Sequence, residues 1–415
     1  MHGSVWNLLL LFLLATSGAA QIGGTGKDGA LAPKSDLVLD TTQNKGVFQF
    51  TRIDIPRGVK VTIKGSHPAV LRVQSTVKIT GSLNADGLGS GAGPGGYAGG
   101  RGSQWLFIAG KDGGGPGGGK GGWFSAVYHP WLAGGPGGHA TEGPSGPASW
   151  WRWIPGKANG SAFPFTLIGG SGGGGACGTG STKAGNMGGY GGGGGGVIVI
   201  LADGAIRISG TITADGGDSW EAVTSKVGIH AGGPGAGGSI LLRSMRSVTV
   251  DKTGLVRALG GHVWPKITYG RYGGKGFVRF DSYGSAPVIQ GKVEPKPMAL
   301  ELPHIVETIP PRLGRVFGIS CASVPGDLVA IFISKRGAKI STPFGVLRLD
   351  PSANFFLLGA LGVPATGHDP IGSQMIAVHT DPRLIGLGIH IQAINLITKS
   401  GRPRLSNALI TQILE

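Results

Sequence analysis

The sequence predicts an all-β protein in which a glycine-rich parallel β-solenoid is followed by a small antiparallel β-sandwich. Three features predict this fold: the glycine content, a repeated motif of short strands, and evenly spaced strands near the C terminus. We expect a solenoid over residues 21–284, with a Trp-rich insert at about 101–165. A Pro-containing linker is expected over 285–303 and the sandwich over 304–415.

Glycine dominates the composition, with 84 Gly and 26 Pro among 415 residues. Because Gly disfavours the interior of a helix by about 1 kcal/mol relative to Ala, a helical protein is excluded. Disorder is disfavoured because 40% of the residues are hydrophobic and only 14% are charged. No strict Gly-x-y register persists, which excludes collagen.

A motif of short strands recurs along the first part of the chain. Residues 77–87 alternate apolar and polar side chains around a central glycine, and residues 206–216 repeat that pattern. A looser third copy covers residues 248–260. A further apolar strand precedes each copy, at 70–73, 197–200 and 240–243, and residues 277–280 resemble the start of a fourth unit.

Strands with a fixed inside-outside register that repeat in this way indicate coils stacked into a solenoid, since no single coil can bury its own apolar face. Gly210 and Gly254 are the central glycines of two successive copies of the motif and are 44 residues apart. A repeat of this length would hold about two coils of ordinary size. The alternative is a β-sandwich with the same alternation. Strands predicted between residues 47 and 63 would cap the first coil, because an open end exposes unpaired backbone.

Residues 87–196 consist largely of glycine runs that enclose aromatic clusters. We expect this region to pack as extended polyglycine strands, with the aromatic side chains folded over the solenoid. After the linker, glycine becomes rarer and regular strands return. They are predicted at 316–320, 328–333, 346–349, 375–378, 389–393 and 408–413, a spacing typical of a small sandwich.

The first 20 residues predict a secretory signal peptide, although its start contains no Lys or Arg. Small residues at 17–20 favour cleavage just before Gln21. No later stretch predicts a membrane span, so we expect a secreted, extracellular or cell-surface protein. Cys177 and Cys321 are too few for a disulfide scaffold, and whether they form one bridge is left open.

The chain has 37 basic and 21 acidic residues, a formal net charge of +16. Scattered cations can keep a glycine-rich surface soluble, and they can also attract polyanions. The scatter favours the first interpretation. The partners we expect are an extracellular polysaccharide or an anionic surface, with no nucleic acid, and self-association is left open.

No motif predicts a catalytic residue, a metal or a cofactor. The glycine-rich stretch 178–183 lacks the Gly-Lys-Ser/Thr order of a phosphate-binding loop. Asp86 and Asp215 occupy the same position of the repeat, where aligned carboxylates could do acid-base chemistry. An Asp-Gly pair also simply forms a turn, and we favour that interpretation.

Tryptophan supplies the best candidate binding site, because indole faces stack on sugars and cations and Trp is favoured where binding energy concentrates. The candidate ligand-binding residues are Trp131, Trp150, Trp151, Arg152 and Trp153. The competing interpretation, which we weigh slightly higher, is that these rings cover a solenoid face made of glycine.

Several segments resemble large secreted glycine-rich proteins of planctomycetes and myxobacteria-like bacteria. They are 55–59, 65–73, 79–87, 189–200 and 235–242. Residues 342–351, 381–386, 391–393 and 405–408 resemble a C-terminal β-domain of planctomycete secreted proteins. The resemblance implies export and β architecture, and it supplies no catalytic residues.

The leading functional hypothesis is a secreted or cell-surface structural or adhesive protein without catalysis, with binding of glycans or polyanions left open. One alternative is a polysaccharide lyase or hydrolase on a β-helix. The other is a carbohydrate-binding protein that lacks catalysis.

Overall fold

A computed structural model describes most of the chain after residue 21. The described residues are 22–103, 108–123, 133–145, 153–178, 188–220, 231–264, 272–283, 285–353, 355–364, 369, 371–397 and 403–415. Within these ranges, no helix combines the length and the apolar character needed to cross a membrane. The protein is all-β, with parallel six-stranded sheets followed by antiparallel sheets.

Three parallel sheets of six strands form the solenoid, and each coil contributes one strand to each sheet. The first sheet contains β1 (Ala30–Leu31), β4 (Arg52–Ile55), β7 (Val77–Ile79), β10 (Ile206–Ile208), β14 (Val248–Val250) and β18 (Val288–Ile289). The second contains β2 (Leu37–Asp40), β5 (Lys60–Lys64), β8 (Ser82–Asn84), β11 (Thr211–Thr213), β15 (Leu255–Arg257) and β19 (Lys292–Glu294). The third contains β3 (Val47–Phe50), β6 (Ala69–Val73), β9 (Val197–Ala202), β13 (Ser239–Ser244), β17 (Phe277–Tyr283) and β20 (Met298–Leu302).

The repeated motif lies in register in successive coils, as the sequence predicted. Ile206 pairs with Val77 on one side and with Val248 on the other. The equivalent inward side chains form columns of Val, Ile and Leu that fill the solenoid. Every strand pair in these sheets is parallel, so the sandwich alternative is wrong for this part of the chain.

The prediction of two coils within each 44-residue repeat is wrong. β10 and β14 are direct neighbours in their sheet, so the repeat contains a single coil. Between β11 and β13, residues 214–220 leave the solenoid and residues 231–238 return to it. The sequence pattern measured the period correctly, but the glycine-rich part of each repeat lies outside the coil.

The two central strands of the third sheet, β9 and β13, are buried on both faces. Ile198 and Ile200 point into the solenoid core, while Val197 and Val199 join Phe165 in a second cluster on the outer face. This double burial explains why β9 is a continuous apolar run where the other strands alternate.

The segment predicted as a linker is instead part of the solenoid. Its residues form β18, β19 and β20, which pair with β14, β15 and β17 and complete the last coil. The prolines at 287, 295, 297 and 303 flank these strands. Proline is compatible with this arrangement because it lies at strand ends or at the edge of a sheet.

The C-terminal part is a two-sheet sandwich. One sheet has the order β21 (His304–Ile309), β22 (Val316–Ala322) and β27 (Ile371–Ala377). The other has the order β26 (Phe356–Gly362), β23 (Leu328–Ser334), β28 (Gly388–Ile397) and β29 (Leu405–Gln412), and a hairpin of β24 (Gly337–Thr342) and β25 (Gly345–Leu349) packs beside it. Phe317 and Ile319 of one sheet share a core with Val329 and Ile331 of the other. All six predicted strands are present, and β21, β24 and β26 were not predicted.

A buried cluster of charges joins the sandwich to the solenoid. Arg243 contacts Asp281 at 2.6 Å and Asp369 at 2.5 Å, and Arg279 contacts the same two carboxylates at 2.8 Å each. Burial alone would raise the pKa of Asp369, but the two guanidinium groups hold that pKa below its ordinary value. Since removing one partner of a buried ion pair typically costs about 3–5 kcal/mol, the cluster fixes the two parts together. Cys177 and Cys321 are both buried free thiols.

Candidate functional site

The glycine-rich segments that leave the solenoid run side by side and form a second body, which we call the glycine bundle. It comprises residues 88–103, 110–122, 133–138, 153–157, 169–178, 188–196, 214–220, 231–238, 258–261 and 273–276. Most of its residues are outside the named strands, yet their backbone groups are extensively hydrogen-bonded to one another.

Hydrogen bonding in the glycine bundle repeats every three residues. The N–H groups of residues 191, 194 and 197 donate to the carbonyl groups of Gly100, Tyr97 and Pro94. Those of residues 192 and 195 donate to Gly233 and Ala236, and those of residues 193 and 196 donate to Gly89 and Ala85. A period of three with no bonds inside a segment is the geometry of the polyproline II helix. Residues 191–197 therefore follow a polyglycine helix that is bonded to different neighbours on its three faces.

Close approach of these backbones requires glycine. A Cβ atom placed on Gly194 would lie less than 3.0 Å from the carbonyl oxygen of Gly170, a separation that real Cβ atoms do not adopt. Gly191 meets the carbonyl group of Gly173 in the same way. The obstructing atoms belong to the backbone and cannot rotate away. The predicted extended polyglycine packing is present, and it continues beyond the insert into the repeats at 214–220, 231–238, 258–261 and 273–276.

Segments of the glycine bundle that connect to the coils have one end that points away from the solenoid. Residues 188–196 lead into β9, and residues 214–220 follow β11, so residues 188 and 220 are the ends of these two segments that lie away from the coils. Backbone hydrogen bonds place Ser103 beside Ala176 and Gly188. Another places Gly122 beside Gly175, one residue before Ala176, so these residues lie near the same end of the bundle. We call this end the distal end.

Exposed aromatic side chains cluster at the distal end. The rings of Tyr190 and Trp220 have centroids 6.5 Å apart and planes only 17° apart. Their residues are 37% and 42% exposed, and the backbone N–H of Trp220 donates to the carbonyl group of Tyr190. Beside them, His262 and Tyr272 meet edge to face at 4.7 Å. We call these four residues the aromatic platform.

The distal end also exposes other apolar and cationic side chains. Trp123 is 41% exposed and Ile108 is 54% exposed. Arg101 and Lys111 are exposed on adjacent segments, joined by a hydrogen bond from Lys111 N to Arg101 O. This surface therefore combines aromatic faces with positive charge.

Four of the five predicted binding residues, Trp131, Trp150, Trp151 and Arg152, lie outside the described residues. Trp153 is described and is only 9% exposed, and its indole Nε1 donates to the carbonyl oxygen of Pro144 at 2.8 Å. For Trp153, this burial favours the packing interpretation.

Sequence reasoning missed the aromatic platform. A signal was present, because Trp220 and Trp264 are 44 residues apart and therefore equivalent in the repeat, as are Asp218 and His262. The structure pairs Trp220 with Trp264 in register between β12 (Ser219–Trp220) and β16 (Val263–Trp264). Asp218 accepts a hydrogen bond from the backbone N–H of His262 at 2.7 Å.

The carboxylates of Asp86 and Asp215 do align along one edge, but their oxygens are engaged. Asp86 accepts the backbone N–H of Asp215 at 2.6 Å and also the side chains of Asn84 and Thr213. Asp215 accepts the N–H of Leu259 at 2.8 Å and the Nε of Arg257 at 2.6 Å. Burial raises the pKa of Asp215, and Arg257 opposes that shift. Their contacts hold successive turns together, which favours the turn interpretation.

One buried trio resembles a nucleophilic arrangement. His139 Nε2 lies 2.8 Å from Ser239 Oγ, and His139 Nδ1 lies 3.3 Å from Asn159 Oδ1. Both His139 and Ser239 are fully buried, and Ser239 Oγ donates to the carbonyl oxygen of Ile168. Burial lowers the pKa of His139 to about 4. Because both side chains are buried, we interpret the trio as a structural contact that ties the chain just after residues 133–138 of the glycine bundle to β13.

In the described part of the chain, no group of three His, Cys, Asp or Glu residues is placed to hold a metal ion. Most of the stretch that came nearest to a phosphate-binding loop lies outside the described residues. Comparison with known proteins found no matching family model, no matching curated protein and no matching solved structure. The functional proposal therefore stands on the geometry of the distal end.

Proposed function

We propose that the protein is an exported adhesive scaffold that binds polysaccharide at the distal end of its glycine bundle. Export, as the first 20 residues predict, is part of this proposal. The observation that carries it is the exposed pair of nearly parallel rings formed by Tyr190 and Trp220.

Two neighbouring, nearly parallel aromatic rings that are partly exposed offer apolar surface flanked by polar groups. Sugar rings present C–H groups on their faces and hydroxyl groups at their edges, which suits stacking on such a surface. Tyr and Trp serve this purpose well because each combines a large apolar body with a polar tip. Trp is also among the residues that contribute most to binding energy.

Backbone hydrogen bonds hold Trp220 of the aromatic platform in place. Trp220 N donates to Tyr190 O, and Gly232 N donates to Trp220 O. A site that is rigid before binding loses less conformational entropy when a ligand arrives. This rigidity supports a binding role for rings that would otherwise be costly to expose.

Positive charge nearby favours an acidic polysaccharide over a neutral one. Arg101 and Lys111 are exposed at the distal end, and the chain as a whole carries a formal net charge of +16. Such a field raises the rate at which a polyanion meets the surface, and this effect weakens with salt.

Retention on an immobilised panel of neutral and acidic polysaccharides tests the proposal. The Tyr190→Ala, Trp220→Ala double variant should bind at least about tenfold more weakly, since truncating one central aromatic residue often costs more than 1 kcal/mol. Phe356→Ala is the matched control, because Phe356 is a 57% exposed aromatic residue in the sandwich. It should bind like the wild type.

Equal retention of the double variant and the wild type would contradict the proposal, as would a wild type that binds nothing on the panel. Release of new sugar ends by the wild type, abolished by Asp215→Asn, would support the enzyme alternative instead.

A further inference from the structure

A carboxylate on the solenoid holds the first described residues of the chain. Asp203 follows β9, and its Oδ1 accepts the backbone N–H groups of Ile22 at 2.8 Å and Gly23 at 3.1 Å. The side chain of Ile22 is only 2% exposed and packs in the apolar cluster on the outer face of the third sheet. Residues 22 and 23 are therefore docked on the solenoid, with their backbone N–H groups and the side chain of Ile22 engaged.

Asp203 forms no ion pair within the described residues. The nearby Arg72 donates from Nη1 to the carbonyl oxygen of Ile22 at 3.3 Å. Burial raises the pKa of Asp203, although the two N–H donors oppose the shift. A half-buried carboxylate without a cation would gain from a positive charge placed beside it.

We propose that Asp203 is the receptor for the α-ammonium group that is created when the chain is cleaved between Ala20 and Gln21. Hydrolysis of that peptide bond leaves a carboxylate on Ala20 and a protonated amine on Gln21. The amine is one residue before the N–H of Ile22, which already contacts Asp203. Cleavage therefore supplies the missing cation at the carboxylate and locks the new N terminus onto the solenoid.

This inference depends on export but not on polysaccharide binding, because Asp203 directly follows β9 of the third sheet and the aromatic platform lies at the distal end. It also has a chemical consequence. An N-terminal glutamine cyclises when its neutral amine attacks the carbon of its own side-chain amide. A C–N bond forms, the original amide C–N bond breaks, and ammonia leaves. An amine kept protonated by Asp203 reacts more slowly.

The first measurement is the mass of the exported full-length product, which should begin at Gln21. The second compares three chains that are released from a cleavable fusion so that they begin at Gln21: the wild type, Asp203→Asn and Asp36→Asn. Asp36 is the matched control, since it also accepts one backbone N–H, that of Lys60 at 2.8 Å. Loss of ammonia from the N terminus is followed by mass spectrometry at neutral pH.

Pairing with Asp203 should favour the protonated form of the α-amine, so that Asp203→Asn cyclises about tenfold faster than the wild type. Asp36→Asn should match the wild type. A wild-type chain with two extra residues before Gln21 should unfold at a lower temperature than the chain that begins at Gln21, and Asp203→Asn should remove that difference.

Three results would overturn the proposal. One is an exported product that begins elsewhere than residue 21. Another is cyclisation at the same rate in Asp203→Asn and in the wild type. The third is an unfolding temperature that the two extra residues leave unchanged. A failure of polysaccharide binding would leave all three measurements unaffected, so the two proposals fail separately.

Discussion

The solenoid and the glycine bundle are two solutions to the same packing problem within one chain. Both stack extended segments so that the backbone groups of one bond to its neighbours. The solenoid fills its interior with columns of Val, Ile and Leu. The glycine bundle has almost no side chains inside and bonds its segments in three directions. Burial of apolar side chains stabilises the first body, and backbone hydrogen bonding at close approach stabilises the second.

This comparison explains the composition. Glycine loses more conformational entropy on folding than any other residue, so a body made of it needs its backbone groups satisfied. In the glycine bundle, the absence of Cβ atoms is what lets the segments approach closely enough to bond. The coils tolerate ordinary side chains because their facing strands are separated by the core.

The largest expected effect comes from adding one methyl group inside the glycine bundle. Gly194→Ala should lower the free energy of unfolding by more than about 4 kcal/mol, or prevent folding, because the new Cβ meets backbone atoms of Gly170 and Ser171. Gly91→Ala is the matched control, since its nearest neighbour would be 3.3 Å away. Denaturant unfolding followed by circular dichroism measures both. Equal losses in the two variants would contradict the packing described for the bundle.

Truncation of a solenoid side chain should have a smaller effect. Ile200 is fully buried in the core, and Ile200→Ala should cost about 2–5 kcal/mol from lost burial and the cavity that remains. Lys78→Ala, at an exposed position of β7, should change the stability by no more than about 0.5 kcal/mol. The same unfolding assay applies. A loss below about 1 kcal/mol for Ile200→Ala would mean that the coils are not held by side-chain packing.

The sequence predicted these two bodies unequally well. Alternation with period two located the strands of the coils. It also gave their register, because each inward side chain of one copy of the motif has an equivalent inward side chain in the neighbouring copies. Glycine runs predicted extended segments, but glycine has no side chain to indicate which neighbour it contacts. The three-direction bonding therefore could not be derived, and neither could the length of each coil. The strands of residues 288–302 were missed because prolines flank them.

The sequence predicted that the candidate site would be aromatic, but it did not predict which residues form it. An aromatic surface was expected, yet Trp153 is buried and the described platform is built from Tyr190, Trp220, His262 and Tyr272. Tyr190 and Trp220 are 30 residues apart in sequence, since 220 − 190 = 30, and they meet only because two polyglycine segments bond to each other. Equivalence of Trp220 and Trp264 in the repeat was the one available signal.

The buried contact between His139 and Ser239 of β13 should make the stability of the protein depend on pH. Burial lowers the pKa of His139 from its ordinary value of 6.5 to about 4. Between pH 4 and pH 6.5, His139 is therefore protonated in the unfolded chain and neutral in the folded chain. Stability is fully present above pH 6.5 and falls as the pH decreases toward 4, by about 3 kcal/mol in total. Denaturant unfolding over this range should show a steeper loss in the wild type than in His139→Gln. Identical slopes would mean that His139 is accessible to protons in the folded state.

Amide hydrogen exchange of residues 191–197 tests the central claim most directly, namely that the glycine runs form a bonded bundle. Each of these seven N–H groups, from Gly191 to Val197, donates to a carbonyl group in another segment. We expect them to be protected to a degree similar to that of Ile198 and Ile200 in the adjoining β9, as read by fragmentation mass spectrometry. Exchange of residues 191–196 at the rate of an unstructured peptide, next to a protected β9, would contradict the account.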